Sequence, residues 1–115
     1  MIRKMQECKT EQREHMRDGA GTVGITHFAT AAELNEKGRL FGKITLNPGC
    51  GIGFHVHEKD SELFYIMSGT AEYSDNGTVT EVTAGDVTIC PAGSGHSITN
   101  KTSEVVELVA VILHA

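Results

Sequence analysis

Apolar and polar residues alternate over short runs along most of this chain, and residues that favour turns separate the runs. In the segment 39–49, RLFGKITLNPG, the alternation continues until Asn47-Pro48-Gly49 ends it. This pattern is typical of strands with one buried face. Further strands are predicted within residues 22–29, 52–57, 61–69, 70–77, 78–86, 87–93, 96–102 and 105–115.

The many short strands and thirteen glycines indicate an all-β fold. The Asn76-Gly77 pair predicts a tight hairpin turn with positive φ at both residues. Residues 30–38 are expected to form a loop with one helical turn. The sequence suggests two parts: an N-terminal extension over residues 1–21 and a barrel domain over residues 22–115. The extension is expected to contain an extended piece and a weak helical turn around residues 10–17.

Composition limits the possible partners. The chain has 115 residues and a formal net charge of −5. No basic stripe or aromatic platform suits nucleic acid, and no apolar stretch is long enough to span a membrane. Cys8, Cys50 and Cys90 lie far apart without a CxxC pair, so we expect free thiols in a reducing cytoplasm. The charged N-terminus lacks the apolar segment of a signal peptide.

Candidate chemistry is concentrated in residues 53–69, GFHVHEKDSELFYIMSG. Residues i and i+2 of a strand share a face, so His55 and His57 project together. Glu62 opens the returning strand on the same face as Phe64 and Ile66. A buried carboxylate needs a cation or other partner, and imidazole nitrogens with a carboxylate oxygen suit a transition metal. Residues 53–69 therefore predict a metal site.

A second segment, residues 85–100, supplies another candidate ligand. Pro91 and Gly93 end a predicted strand and turn the chain, which would return His96 to the interior. His55, His57, Glu62 and His96 would then give three nitrogens and one oxygen. Such a set leaves positions open on a metal that prefers five or six ligands.

These residues resemble the two motifs of the cupins. The first, G(X)5HXH(X)3–4E(X)6G, and the second, G(X)5PXG(X)2H(X)3N, are matched at all ten fixed positions. The 15 residues between the motifs, 70–84, are similar to the short spacer of small single-domain cupins. The matching residues are Gly49, His55, His57, Glu62, Gly69, Gly85, Pro91, Gly93, His96 and Asn100.

The resemblance implies a double-stranded β-helix, that is, a jelly-roll barrel with one divalent metal ion held by the four candidate ligands. Zinc, manganese, iron, nickel, cobalt and copper all remain possible. It also implies a homodimer, with the N-terminal extension as a possible part of the interface. Cupins include dioxygenases, decarboxylases, isomerases and lyases, and the fold does not choose among them.

Three functions therefore stay open: a metal-dependent enzyme acting on a small oxygen-containing molecule, a non-catalytic ligand-binding protein, and a dimer in which the metal is structural. We expect a cavity walled by residues such as Phe54, Phe64 and Ile98. Tyr65 and Tyr73 are candidates for a hydroxyl near the metal, although packing is the commoner role. His15, His27 and His114 are interpreted as structural, with His27 the one that could line the cavity. Cys90 is interpreted as a buried thiol that packs as a small hydrophobic group, and Cys50 as a residue without a functional role.

Overall fold

Ten strands and two short 3-10 turns, Met5–Glu7 and Met16–Asp18, make up the computed structural model, which describes residues 1–115. No helical segment in it has the length and apolar character needed to cross a bilayer. The strands are β1 (Lys9–Glu14), β2 (Thr22–His27), β3 (Gly38–Leu46), β4 (Gly51–Val56), β5 (Asp60–Ser68), β6 (Thr70–Asp75), β7 (Thr78–Thr83), β8 (Val87–Cys90), β9 (Gly95–Thr99) and β10 (Val106–His114).

The strands form two antiparallel sheets that enclose the core. One sheet has the order β1-β2-β3-β10-β5-β8, and the other has the order β4-β9-β6-β7. The non-sequential neighbours, with β10 between β3 and β5, give the double-stranded β-helix that the sequence predicts. Alternate residues of β10 are buried, as expected for a strand with one face on the core. These inward residues are Val106, Leu108, Ala110 and Ile112.

The hairpin between β6 and β7 has the predicted turn. Asn76 and Gly77 have φ values of 50° and 104°, so both adopt the left-handed backbone of this turn. The amide of Gly95 donates to Asn76 Oδ1 at 3.1 Å, and the amide of Asn76 donates to the Gly95 carbonyl at 2.9 Å. The turn is thereby tied to the start of β9, one residue before His96.

The predicted helical turn around residues 10–17 is wrong. Residues 9–14 form strand β1, which pairs antiparallel with β2 along its whole length. The exposed edge of β2 offers backbone partners that a weak isolated helical turn cannot match. A side-chain hydrogen bond between Thr10 and Thr26, with 2.8 Å between the hydroxyl oxygens, adds to the pairing. The end of the segment enters the short 3-10 turn Met16–Asp18, in which Arg17 has left-handed backbone.

Asn100 fixes the connection from β9 to β10. Its side chain is fully buried and donates to the carbonyl oxygens of Leu46 and Glu104 at 2.9 and 2.7 Å. It also accepts from the amide of Thr102 at 2.9 Å. Because one amide side chain satisfies groups from three segments, the last motif position is a structural residue that holds β3, β9 and β10 in register.

Candidate metal centre

Four side chains converge between the two sheets: His55 from β4, His57 from the turn after it, Glu62 from β5 and His96 from β9. Their candidate ligand atoms all lie within 4.8 Å of one another. Glu62 Oε1 lies 3.1 Å from His57 Nε2 and 3.0 Å from His96 Nε2. The two Nε2 atoms are 3.1 Å apart, and His55 Nε2 lies 3.9 Å from Glu62 Oε1. The convergence expected from the sequence is confirmed.

An irregularity in β4 aims its histidines at this point. The pairing of β4 with β9 shifts register between Ile52 and His55, so both residues face inward although three positions separate them. A bulge of this kind re-aims side chains next to functional sites. From Phe54 onward the residues alternate regularly: Phe54 and Val56 are exposed, whereas His57 is only 3% exposed. The bulge and the alternation together bring both imidazoles to the same interior position.

Each imidazole is held from outside through its Nδ1 atom. His55 Nδ1 lies 2.8 Å from the Gly53 carbonyl oxygen, and His57 Nδ1 lies 2.6 Å from Asp60 Oδ1. His96 Nδ1 lies 2.8 Å from the hydroxyl oxygen of Tyr73. A carbonyl and a carboxylate can only accept, so Nδ1 of His55 and His57 carries the proton. The Nε2 lone pairs of the neutral rings then point into the cluster, the arrangement that outer partners impose on ligating histidines.

Burial and hydrogen bonding act in opposite directions on the carboxylate of Glu62. Burial alone raises its pKa, but hydrogen bonds with the surrounding imidazoles outweigh this effect and hold the pKa well below its usual range. The hydrogen bond with Glu62 raises the pKa of His57, partly opposed by burial. Glu62 is therefore an anion inside the protein. Its charge is balanced either by an imidazolium that donates to it from Nε2 or, when the rings are neutral, by a cation bound among the four side chains.

The residues fit a divalent transition metal. Two ligand atoms that bind an ion at a right angle, each about 2.1 Å from the ion, are about 3.0 Å from each other. The separations among His57 Nε2, His96 Nε2 and Glu62 Oε1 are 3.0–3.1 Å. Three imidazole nitrogens and one carboxylate oxygen are also the donors that such ions prefer. The cluster could therefore hold one ion, as the sequence predicts.

A cavity of about 470 Å³ lies beside the cluster, within the usual range for small-molecule sites. His55, His57 and Glu62 form its deep end. Its walls include the apolar residues Met16, Ile25, Leu40, Ile44, Ile52 and Ile112, and its polar lining adds Arg13, Glu14, Arg17, His27 and Arg39.

The expected cavity wall is partly wrong. Phe54 is 51% exposed, because it precedes the inward residue His55 and so lies on the outer face of β4. Phe64 and Ile98 are buried in the core and do not line the cavity. Phe64 instead stacks on the ring of His96, with 5.1 Å between centroids and 20° between planes. Phe64 therefore helps to position the ring of His96 by packing against its face.

The two candidate tyrosines differ in burial and in their distance from the cluster. Tyr73 is buried against His96, and burial raises its pKa to about 12, so its hydroxyl stays protonated. Tyr65 is 49% exposed on the outer face of β5, opposite Glu62. His27 lines the cavity, which was the alternative left open for it. Of these residues, Tyr73 is the one that holds a cluster imidazole, that of His96, in position.

Sequence reasoning missed three residues around the site: Asp60, Arg39 and Arg17. Asp60 accepts from His57 and, through its second oxygen, from Arg39 Nε at 2.8 Å. Arg17 reaches the cavity from the N-terminal segment. Asp60 falls between the predicted strands 52–57 and 61–69, and this gave a hint, since a carboxylate three residues after the candidate ligand His57 is within reach of its ring.

The chain belongs to the cupin family. The cupin-domain family model matches residues 42–112, which include both motifs and all four residues of the cluster. Together with the two-sheet topology, this match defines a small single-domain cupin.

Three similarities to known proteins and solved structures are informative. The chain is 35% identical over 113 residues to a Thermotoga maritima protein named oxalate-binding protein, covering 98% of this chain and 93% of that protein. It also superimposes on the crystal structure of a predicted oxalate decarboxylase from Thermotoga maritima with a TM-score of 0.96 at 35% identity, over the full length of both chains. The cupin domain of Schizosaccharomyces pombe Cnp3 shares the fold at 17% identity, with a TM-score of 0.74 over 91% of this chain and 69% of that one.

Proposed function

We propose that this protein binds one divalent transition metal ion through His55, His57, Glu62 and His96 and uses it to hold a small oxygen-containing anion. The observation that carries the proposal is the inward convergence of imidazole Nε2 atoms on one buried carboxylate oxygen. The Nδ1 partners already fix the ring orientations. A bound ion would satisfy these donors and offset the charge of Glu62.

Oxalate is the ligand we propose to test first. When bound, the ion supplies Lewis acidity toward carboxylate oxygens. The chain contributes a cavity with apolar walls and three arginines, a lining suited to a compact anion. The naming of the Thermotoga maritima relative as an oxalate-binding protein supports the same ligand class.

The test is a titration of oxalate into protein of known metal content. Protein purified without chelator is analysed for metals by mass spectrometry and then titrated by calorimetry, before and after chelator treatment. We expect about one metal ion per chain and oxalate binding only by the metal-loaded form. His114→Ala is the matched control, because it removes an exposed imidazole that lies outside both the cluster and the cavity. Metal-loaded protein that binds no oxalate would contradict the proposed ligand.

Catalysis of carbon–carbon cleavage is a second candidate. Decarboxylation of oxalate releases carbon dioxide and requires a proton at the carbon left behind. Glu14 and His27 are groups able to carry that proton in the cavity lining outside the cluster. The similar Thermotoga maritima structure is described as a predicted oxalate decarboxylase, which supports testing this reaction. Nuclear magnetic resonance would detect formate produced from oxalate. Formate production by the wild type that is lost in Glu14→Gln or His27→Gln would establish decarboxylation. Oxalate binding without formate production would instead indicate a non-catalytic binding protein.

We also propose that the protein is a homodimer. The outer face of the larger sheet exposes Tyr65, Met67, Val87 and Ile89, which are 46–62% exposed. In the register of the sheet, Tyr65 pairs with Val87, so the patch is continuous across β5 and β8. Apolar patches of this kind favour association, and a second copy supplies an equally apolar surface. Light scattering should give twice the 12.4 kDa chain mass, and Ile89→Glu should halve it.

A further inference from the structure

Three arginines line the cavity, but they differ in their ion pairs. Arg13 pairs with Glu11, with 2.7 Å between Nε and Oε1, and Arg39 pairs with Asp60 at 2.8 Å. Arg17 makes no ion pair or side-chain hydrogen bond, although Glu14 also lines the cavity. A guanidinium that makes no ion pair has its N–H donors free for a bound anion, and no neighbouring carboxylate balances its charge. Arg17 is therefore the cavity cation best suited to a ligand.

The backbone around Arg17 adopts an unusual conformation. His15, Arg17 and Asp18 all have positive φ, at 49°, 54° and 63°, and none of them is glycine. Left-handed backbone at such residues persists only where the surroundings impose it, and it is concentrated at functional sites. Here the turn places Met16 and Arg17 on the cavity wall.

What imposes this conformation is close contact with β4. A Cβ atom at Gly53 would overlap the carbonyl oxygen of Arg17, and one at Gly19 would lie 2.7 Å from the amide nitrogen of Gly53. The amide of Gly51 also donates to the carbonyl of Ala20 at 2.9 Å. Gly53 on β4 and Gly19 on the turn thus let the N-terminal turn lie directly on the strand that carries His55. The position of Arg17 is in this way tied to the cluster.

Arg17 also marks the opening of the cavity. Arg17, Arg39, His55 and His57 line both this cavity and a shallower depression that continues outward past Glu58 and Lys59. His57 is buried whereas Arg17 is exposed, so the cavity runs from the cluster outward to the guanidinium. A ligand held at the cluster by one negative group therefore presents its outer end to Arg17.

We infer that Arg17 selects dianionic ligands, by neutralising the negative group of the ligand that lies away from the cluster. Arg39, held by Asp60, assists as a second cation at the same opening. This inference rests on the proposed function, since it assumes that one end of the ligand binds at the metal. The ligand class is then a small dicarboxylate or a related dianion rather than a monocarboxylate. The inferred role of Arg17 is in ligand binding alone and includes no chemical step.

The experiment compares oxalate with oxamate, in which a neutral amide replaces one carboxylate at nearly constant shape. Both are titrated into metal-loaded wild type, Arg17→Gln, Arg17→Lys and Arg13→Gln. We expect Arg17→Gln to weaken oxalate binding about tenfold and oxamate binding less than about twofold. Arg17→Lys should retain most of the preference for oxalate. Arg13→Gln is the matched control, because Arg13 lines the same cavity but is already paired with Glu11.

The outcomes are distinct. Equal weakening of oxalate and oxamate in Arg17→Gln, no weakening of either, or the same selective loss in Arg13→Gln would overturn the role of Arg17. Wild type that binds both ligands equally would overturn it as well, while leaving the proposed metal-bound anion intact. Wild type that binds neither ligand would overturn the proposed function, and the inference with it. Thermal unfolding of each variant checks folding, since Arg17 is exposed and its truncation removes no core contact.

Discussion

Asp60 joins the candidate metal centre to the cavity opening, because one of its oxygens accepts from His57 Nδ1 at 2.6 Å and the other from Arg39 Nε at 2.8 Å. Burial raises the pKa of Asp60, but hydrogen bonds from Arg39 and His57 outweigh this, so the pKa is lowered and Asp60 is an anion at neutral pH. A single carboxylate therefore orients a cluster imidazole and a cavity cation together.

Removing Asp60 should weaken metal binding without removing any atom of the cluster. In Asp60→Ala, the ring of His57 loses the acceptor that fixes its tautomer and orientation. Outer partners of ligating histidines typically contribute 10–100-fold to metal affinity, and we expect a loss in that range. Competition with a chromophoric chelator measures the affinity. The control is Glu58→Gln, which removes a negative charge from the same turn where no hydrogen bond to the cluster exists; equal losses in both variants would contradict the specific role of Asp60.

Metal binding should raise thermal stability, and the increase should depend on the cluster. A ligand at a thousand times its dissociation constant stabilises the folded state by about 4 kcal/mol. For a domain of this size, that corresponds to a rise in Tm of roughly 10 °C or more. Calorimetry with metal and with chelator should show the rise in wild type and in His27→Ala. His96→Ala should lose it, and His55→Ala, which disturbs the core less, should lose it too.

A rise in Tm that persists in both cluster variants would place the bound metal elsewhere on the protein. The comparison uses the metal-dependent difference within each variant. The loss of packing against Phe64 that His96→Ala causes therefore cancels.

The cluster could be predicted from the sequence because its geometry follows from local rules. Alternation along a strand places His55 and His57 on one face, and the turn after β8 returns His96 beside them. The register confirms this, since His55 pairs directly with His96 across β4 and β9. The outward position of Phe54 follows from the same alternation, because Phe54 precedes the inward residue His55, and the expectation that it walls the cavity ignored this. Strict alternation fails only at Ile52, which the bulge turns inward.

Residues that act across long sequence separations could not be predicted in the same way. Arg39 reaches the cavity because β3 belongs to the sheet facing β4, and Arg17 because the turn after β1 packs on Gly53. A strand forms where the helical turn was expected, around residues 10–17, because the free edge of β2 supplies its hydrogen-bond partners. No local sequence pattern shows that this edge lies alongside. Such tertiary effects override weak local propensity.

The three thiols should differ in reactivity. Cys90 is 1% exposed, and burial raises its pKa, so it should not react in the folded protein. Cys8 and Cys50 are partly exposed. A thiol reagent should therefore modify two groups per native chain and a third only after denaturation. In Cys90→Ala the native count should stay at two and the denatured count should fall to two; rapid modification of three native thiols would contradict the buried position of Cys90.

The last prediction concerns the pH dependence of the contact that anchors the N-terminus. Arg3 Nη2 and Nη1 lie 2.8 and 2.9 Å from the two oxygens of Glu33, and Nη1 also donates to the Phe28 carbonyl at 2.7 Å. The hydrogen bond from Arg3, followed by that from the Thr30 amide, lowers the pKa of Glu33 from 4.5 to about 2. Because the folded-state pKa is depressed, the contact stabilises the protein above about pH 4.5, and this contribution disappears as the pH falls toward 2.

A carboxyl titration by nuclear magnetic resonance should give a midpoint for Glu33 near 2. Arg3→Gln should raise it toward 4.5 without reaching that value, because the Thr30 amide still donates at 2.9 Å. Lys4→Gln is the control, since it removes a neighbouring positive charge that does not touch Glu33. The pair is solvent-exposed, so its midpoint should also rise with added salt, through screening. A wild-type midpoint near 4.5, or an equal rise in Lys4→Gln, would show that Arg3 does not hold this carboxylate in solution.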